Sequence, residues 1–188
     1  TLALPVTLCD SIALSFVLRC RGEGLRVHGM SDVISFGAEG DGKADDTEAI
    51  RHALRQGDGV IRFGRGTYRL TETIEINLDK VDRTSIEGSD GNAKVVMEGK
   101  GPAFRIVGSH GGTADPTGVK PEVWQRQRLP IISGIEIEGK HPEADGIELV
   151  GTFQPIVSRV LLRDLRHGVV LTKRNRNVLI SDCQIYHD

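Results

Sequence analysis

Hydrophobic positions in this chain come in short runs of three to five residues rather than in long helical stripes. Thr73-Ile-Glu-Ile76, Lys94-Val-Val-Met97, Phe104-Arg-Ile-Val107, Ile135-Glu-Ile137, Gly146-Ile-Glu-Leu149, Val160-Leu-Leu162, Gly168-Val-Val-Leu171 and Val178-Leu-Ile180 are the clearest. Several alternate apolar and polar residues, the period of a strand with one buried face. Thr84-Ser-Ile86 adds a shorter run. The only segment with helical periodicity is early: Ala49, Ile50, Ala53 and Leu54 share one face, and Gly57-Asp58-Gly59 ends it. Asp45 or Asp46 can cap that helix, and Glu48 lies in its first turn. Val33-Ile-Ser-Phe36 reads as a short strand before it, and Gly37 to Gly42 as a turn. Val60-Ile-Arg-Phe63, a Gly64-Arg-Gly66 turn and Thr67-Tyr-Arg-Leu70 follow. No second helix is predicted.

The later runs repeat. Gly146-Ile-Glu-Leu149 and Gly168-Val-Val-Leu171 stand 22 residues apart, and Ile135 precedes Val160 by 25. Val160-Leu-Leu-Arg-Asp164 and Val178-Leu-Ile-Ser-Asp182 match at 18. A mean near 22 suits a solenoid coil, which buries its apolar face only by stacking on the next. A sandwich would need tight hairpin signals between neighbouring strands, and the sequence offers none. The expected class is therefore all-β: a parallel β-helix with an N-terminal capping helix, truncated at its C-terminus.

Composition agrees. The 188 residues include 23 glycines, only 4% aromatics and 38% hydrophobics, which implies many turns around an aliphatic core. A net charge of −2 gives no field for nucleic acid or an anionic membrane. Three cysteines, Cys9, Cys20 and Cys183, support neither a disulfide framework nor a zinc site. Residues 1–29 hold an apolar stretch, Ile12-Ala-Leu-Ser-Phe-Val-Leu18, too short to span a bilayer. Two readings stand for them: upstream sequence before a natural start at Met30, or a genuine export signal or strand. Residues 30–188 form the expected β-helix portion. Localisation stays open between export and the cytoplasm, and oligomeric state is not fixed.

Val33-Ile-Ser-Phe-Gly-Ala-Glu-Gly-Asp-Gly-Lys-Ala-Asp-Asp-Thr-Glu-Ala-Ile50, followed by Gly59-Val-Ile-Arg-Phe-Gly-Arg-Gly-Thr-Tyr68, resembles the entry motif of the pectate-lyase superfamily. The nearest group is the rhamnogalacturonase/epimerase-like pectate lyase domain. Gly64 stands where that pattern usually has proline. The resemblance implies a right-handed parallel β-helix and a carbohydrate-active protein, a polysaccharide lyase or glycoside hydrolase on acidic, pectin-like glycans. The alternatives are a non-catalytic glycan-binding solenoid, or an inactive fragment of a longer enzyme. It implies a polysaccharide partner and no fixed cofactor, with Ca2+ only for a lyase. The hydrolase pattern Asn-Thr-Asp, Asp-Asp, Gly-His-Gly is missing, and His167-Gly168 is only a piece of it.

Site candidates follow from the repeat. Asp145 and His167 each precede the glycine of a matched strand, so they should stack about 4.8 Å apart as an acid/base pair. His141 and Glu143 lie just before Asp145, and His187 and Asp188 enter the next coil near the same edge. Asp164 and Asp182 also align at 18 residues. The loop from Ser109 to Pro130 carries Trp124, Arg126 and Arg128, suited to a sugar face and uronate carboxylates, or else to anchoring the loop on the solenoid. Arg174, with Lys173 and Arg176, forms a short basic turn beyond Leu171. Asp41, Asp45 and Asp46 offer carboxylates for a hard cation or, more simply, a turn and a helix cap. No metal site is assigned.

Overall fold

The computed structural model describes residues 32–112 and 115–188. The reading of residues 1–29, with Cys9 and Cys20, and of a start at Met30 lies outside them. The described chain winds as a parallel β-helix of three sheets. Sheet A stacks β2 (Val60–Phe63), β5 (Ser85–Gly88), β8 (Ile131–Ser133), β11 (Ile156–Ser158) and β14 (Leu179–Ser181). Sheet B stacks β1 (Asp41–Asp45), β3 (Gly66–Leu70), β6 (Ala93–Met97), β9 (Ile135–Gly139), β12 (Leu161–Arg163) and β15 (Gln184–Tyr186). Sheet C stacks β4 (Ile74–Asn77), β7 (Gly101–Val107), β10 (Ala144–Val150) and β13 (His167–Thr172). Each coil visits A, B and C in that order, and every pairing is parallel.

Strand register lines up the inward side chains as ladders. Ile61, Ile86, Ile132, Val157 and Ile180 form the ladder of sheet A. Tyr68, Val95, Ile137, Leu162 and Ile185 form that of sheet B. Ile74, Phe104, Ile147 and Val169 form one of sheet C. The rungs of the first four coils in sheets A and B are fully buried, and each such side chain removed from water contributes about 1.5–3 kcal/mol. In the fifth coil Ile180 and Ile185 are exposed.

The helix α1 (Thr47–Gln56) packs on β2 and β4 and sends Ile50 and Ala53 into the same core. Asp45 begins it by accepting from the Thr47 amide and hydroxyl at 3.1 and 2.5 Å. Asp46, expected as the alternative cap, is buried and instead accepts from the amides of Glu39 (2.7 Å) and Gly40 (3.4 Å). It therefore ties the preceding turn to the helix start. Asp41 bonds to the amides of Lys43 and Ala44, which holds its carboxyl below the ordinary range. These three aspartates are occupied by backbone amides and, for Asp45, also by the Thr47 and Thr71 hydroxyls.

Four expectations need correction. Val33–Phe36 is a 3-10 turn, not a strand, because the Asp32 side chain accepts from the Ile34 amide and Gly37 closes it at φ 100°. The Gly37–Gly42 turn runs into β1, which pairs with β3. A second short helix, α2 (Leu78–Val81), is capped by Asn77, and a single turn spans Val123–Gln127. Finally, Val160–Asp164 and Val178–Asp182 do not stack, since Leu162 pairs with Ile185 and Val157 with Ile180. Asp164 and Asp182 thus end strands of different sheets, B and A. They share a left-handed conformation, φ 55° and 54°, that turns the corner after each strand.

Candidate functional site

Sheet C carries most of the predicted candidates, at two rims separated by the length of its strands, roughly 20 Å for a seven-residue strand. At the rim where the strands begin, Asp145 pairs in register with His167. The two strands can close up here because position 146 has no side chain. A Cβ on Gly146 would stand 2.4 Å from the Gly168 carbonyl oxygen. The Asp145 carboxylate is nearly buried and lies 2.8 Å from His167 Nδ1. Arg166 donates to both Asp145 oxygens, from Nε at 3.0 Å and Nη2 at 2.6 Å. That fork, with the His167 bond, holds Asp145 below the usual carboxylate range against the opposing effect of burial. The carboxylate is therefore ionised and can only accept, so His167 Nδ1 must carry the shared hydrogen. Nε2 is left as the basic nitrogen, on a side chain 58% exposed.

Around this pair the turns into sheet C alternate in charge. Lys100 holds Glu143 at 2.8 Å and keeps its carboxyl below the ordinary value. His141 Nδ1 accepts from the Glu143 amide at 3.0 Å, so it serves the turn locally. His187 and Asp188 face Asp164 and Arg163 instead: His187 lies 3.7 Å from Asp164, the Asp188 amide donates to Asp164 at 3.0 Å, and Arg163 reaches Asp188 at 2.5 Å.

The outward row of sheet C is a charge ladder the sequence reading missed. Glu75, Arg105, Glu148 and Val170 are in register. Glu148 accepts from Arg105 Nε at 2.6 Å and from Thr172 at 3.1 Å.

The far rim holds the loop candidates. Trp124 meets the buried Phe153 edge-on, ring centres 4.8 Å apart, and Arg176 lies over the same Phe153 ring at 5.8 Å. Arg126 is paired with Asp82. Arg128 forms a backbone bridge to Phe153. Gln127, buried, accepts from Ser109 at 2.8 Å and donates to Asp79 at 3.2 Å. The described part of the 109–130 loop is thus laid against the solenoid, with Trp124 still 38% exposed. Arg174 projects from the neighbouring turn as an exposed cation. Asn175 pins that turn by bonding Thr152, Leu149 and Thr172.

A second cluster was not anticipated. On the outer face of sheet B, Glu138 is 2% exposed and contacts Lys94, Lys140 and Arg163, the last at 2.9 Å. Arg163 also holds Glu136 at 2.9 Å. Burial disfavours the Glu138 anion, but the hydrogen bonds from Lys140 and Lys94 and the charge of Arg163 outweigh it and bring the carboxyl down to about 2.

The comparisons with known proteins bear on this frame. The family described as "Rhamnogalacturonase A/epimerase, pectate lyase-like" matches residues 30–128, just over half of the chain. The chain belongs to this family. Among solved structures, the rhamnogalacturonase/epimerase-like chain resembles ORF18 of Geobacillus virus E2, with 18% identity and a TM-score of 0.57 over 84% of this chain and 38% of that one. It also resembles the A-module of mannuronan C-5 epimerase AlgE6 from Azotobacter vinelandii, with 18% identity, TM-score 0.59, and 81% and 42% of the two chains covered. For the AlgE4 A-module of the same organism the values are 12%, 0.54, 83% and 49%. This chain spans less than half the length of each, and at these identities the likeness shows the fold. No curated protein sequence matches.

Among the described residues no three carboxylate, histidine or cysteine side chains converge as a cation would require. Among them, too, no helix is long and apolar enough to cross a membrane.

Proposed function

We propose that this chain provides the working face of a carbohydrate-active β-helix, and that sheet C is where an acidic polysaccharide lies. The observation that carries the reading is the Asp145–His167 pair at 2.8 Å. Asp145 is the positioning group, fixed by the Arg166 fork, and His167 is the proton carrier. Nε2 takes the proton on the carbon next to the uronate carboxylate while Nδ1–H keeps its bond to Asp145; as the ring double bond forms, the bond to the glycosidic oxygen on the adjacent carbon breaks, and that oxygen is protonated by the imidazolium or by solvent. At the other rim, Trp124 offers a partly exposed ring to a sugar face and Arg174 an exposed cation to a uronate carboxylate. Arg126, His141 and Glu143 are engaged by Asp82, the Glu143 amide and Lys100, and Arg128 by its backbone bridge to Phe153, so they shape the two rims rather than the reacting centre.

Between the two chemistries, proton abstraction with elimination fits better than hydrolysis. Hydrolysis by the two-carboxylate route needs an acid and a base or nucleophile about 5–9.5 Å apart. On sheet C, Asp145 is engaged by Arg166 and Glu148 by Arg105, which also lies 3.9 Å from Glu75. The test is incubation with a panel of uronate polymers, with and without added calcium, following ultraviolet absorbance of unsaturated products and release of reducing ends. Growth of the unsaturated product is expected. Reducing ends without unsaturation would overturn the elimination reading, and neither signal from any polymer would overturn both elimination and hydrolysis.

A second reading rests on the same Arg166 fork, which also suits a structural lock on a binding face. It predicts glycan retention by affinity electrophoresis that survives replacing Asp145 and His167 together, with no turnover.

A further inference from the structure

Away from sheet C, the corner where sheet A turns into sheet B forms an open cleft of about 430 Å³. That size lies in the range of small-ligand pockets. Its floor is the outward row of sheet A, in which Arg62, Glu87 and Ser133 are in register. Arg159 closes one side by reaching across two coils to Asp90, Nη1 to Oδ1 at 2.9 Å. Between the turns that carry Arg159 and Asp90 lies that of Gly134, packed so closely that a Cβ there would stand 2.5 Å from the Gly88 carbonyl oxygen and 3.3 Å from the Asp90 backbone. Gly64 forms another wall, where a Cβ would already touch Asp32, Ile34 and Tyr68, each at 3.7 Å.

The lining alternates donors and acceptors. Arg62 is steadied by Asp58 at 3.0 Å and Glu87 at 3.7 Å, and still presents further N–H groups. Ser89 donates its hydrogen to the Phe63 carbonyl at 2.8 Å and keeps its lone pairs for acceptance. Asp32, Glu87 and Asp90 face two arginines, so the lining carries a slight excess of negative charge. A hydroxyl both donates and accepts, and a row of vicinal hydroxyls matches such an alternating wall. A uronate carboxylate would meet carboxylates whose arginines are already paired.

We propose that this cleft binds a neutral saccharide unit, as a second glycan site on a face remote from sheet C. None of its lining residues belongs to sheet C, so the proposal stands apart from the catalytic reading. Binding would tether a polymer of mixed neutral and acidic residues, or its neutral branches, while another stretch occupies sheet C.

The test is a titration followed by amide chemical shifts on this 20.5 kDa chain. The probes are galactose and glucose, each against its uronate, galacturonate and glucuronate. The expected result is saturable shifts at Gly64, Gly88, Ser89 and Ser133 with the neutral sugars, and about tenfold weaker binding of the uronates, the cost of one unfavourable charge contact. Arg159→Ala, at an exposed position, should weaken binding about tenfold while the rest of the spectrum is unchanged. His167→Ala should leave these shifts intact whatever it does to turnover. The proposal is overturned by an absence of shifts at these residues, by uronates binding equally well, or by Arg159→Ala leaving affinity unchanged in a folded protein.

Discussion

Replacing Glu138 by glutamine tests the cluster on sheet B, where three cations from strands or turns of successive coils converge on one buried carboxylate. Glu138 is ordinarily a group of 4.5 and is brought down to about 2 here. A shift of that size is worth roughly 3 kcal/mol, at 1.36 kcal/mol per unit. Its folded value is depressed, so the contribution is fully present above pH 4.5, the unfolded value. It is lost as pH falls toward 2. Removing one partner of a buried ion cluster costs about 3–5 kcal/mol. The half-exposed Lys140 can rehydrate, which favours the lower end. Glu138→Gln should therefore destabilise the protein by about 3 kcal/mol at pH 7. In urea unfolding followed by circular dichroism, the gap between wild type and variant should shrink steadily between pH 4.5 and pH 2. A gap below about 1 kcal/mol at pH 7, the scale of surface pairs, or one that does not change with pH, would refute the reasoning.

Other perturbations follow from the same geometry. Gly88→Ala would push a methyl to 2.6 Å from the Gly134 carbonyl oxygen and 2.7 Å from Ile135 Cβ, so a loss of about 1–3 kcal/mol is expected in thermal melts; an unchanged melting temperature would contradict the close stacking of these coils. Ile137→Ala removes a fully buried rung of the sheet B ladder and should cost about 2–5 kcal/mol, read from the same urea transitions. Trp124→Ala removes the edge contact on Phe153 and should expose the 109–130 loop to limited proteolysis, with cleavage no faster than wild type as the contrary result.

The parts of the fold that were legible in the sequence share one property, that equivalent positions fell in the same sheet. Gly146 and Gly168 head neighbouring strands of sheet C, so their spacing gave the register that puts Asp145 on His167. The spacing of 25 between Ile135 and Val160 likewise matches sheet B. The match at 18 failed because Val-Leu-x-x-Asp marks a strand followed by a left-handed corner residue, and two sheets end that way. β8, β11 and β15, three residues each, were too short to show a period. Val33–Phe36 looked extended by composition, yet the Asp32 cap decided its backbone locally. Arg166 was overlooked because it stands in a turn, where an arginine usually faces solvent. The Glu138 cluster was within reach, since the spacing of 25 also opposes Glu138 to Arg163 once carried from the apolar to the outward positions.

The central claim is that sheet C works on an acidic glycan through a histidine fixed by Asp145 and Arg166. The most direct measurement compares unsaturated-product formation from the best uronate polymer by wild type and by His167→Ala, with polymer retention measured on the same two proteins. Loss of about 10²–10⁴-fold in turnover with retention unchanged is the predicted outcome for a proton carrier. Turnover by His167→Ala equal to wild type would contradict it.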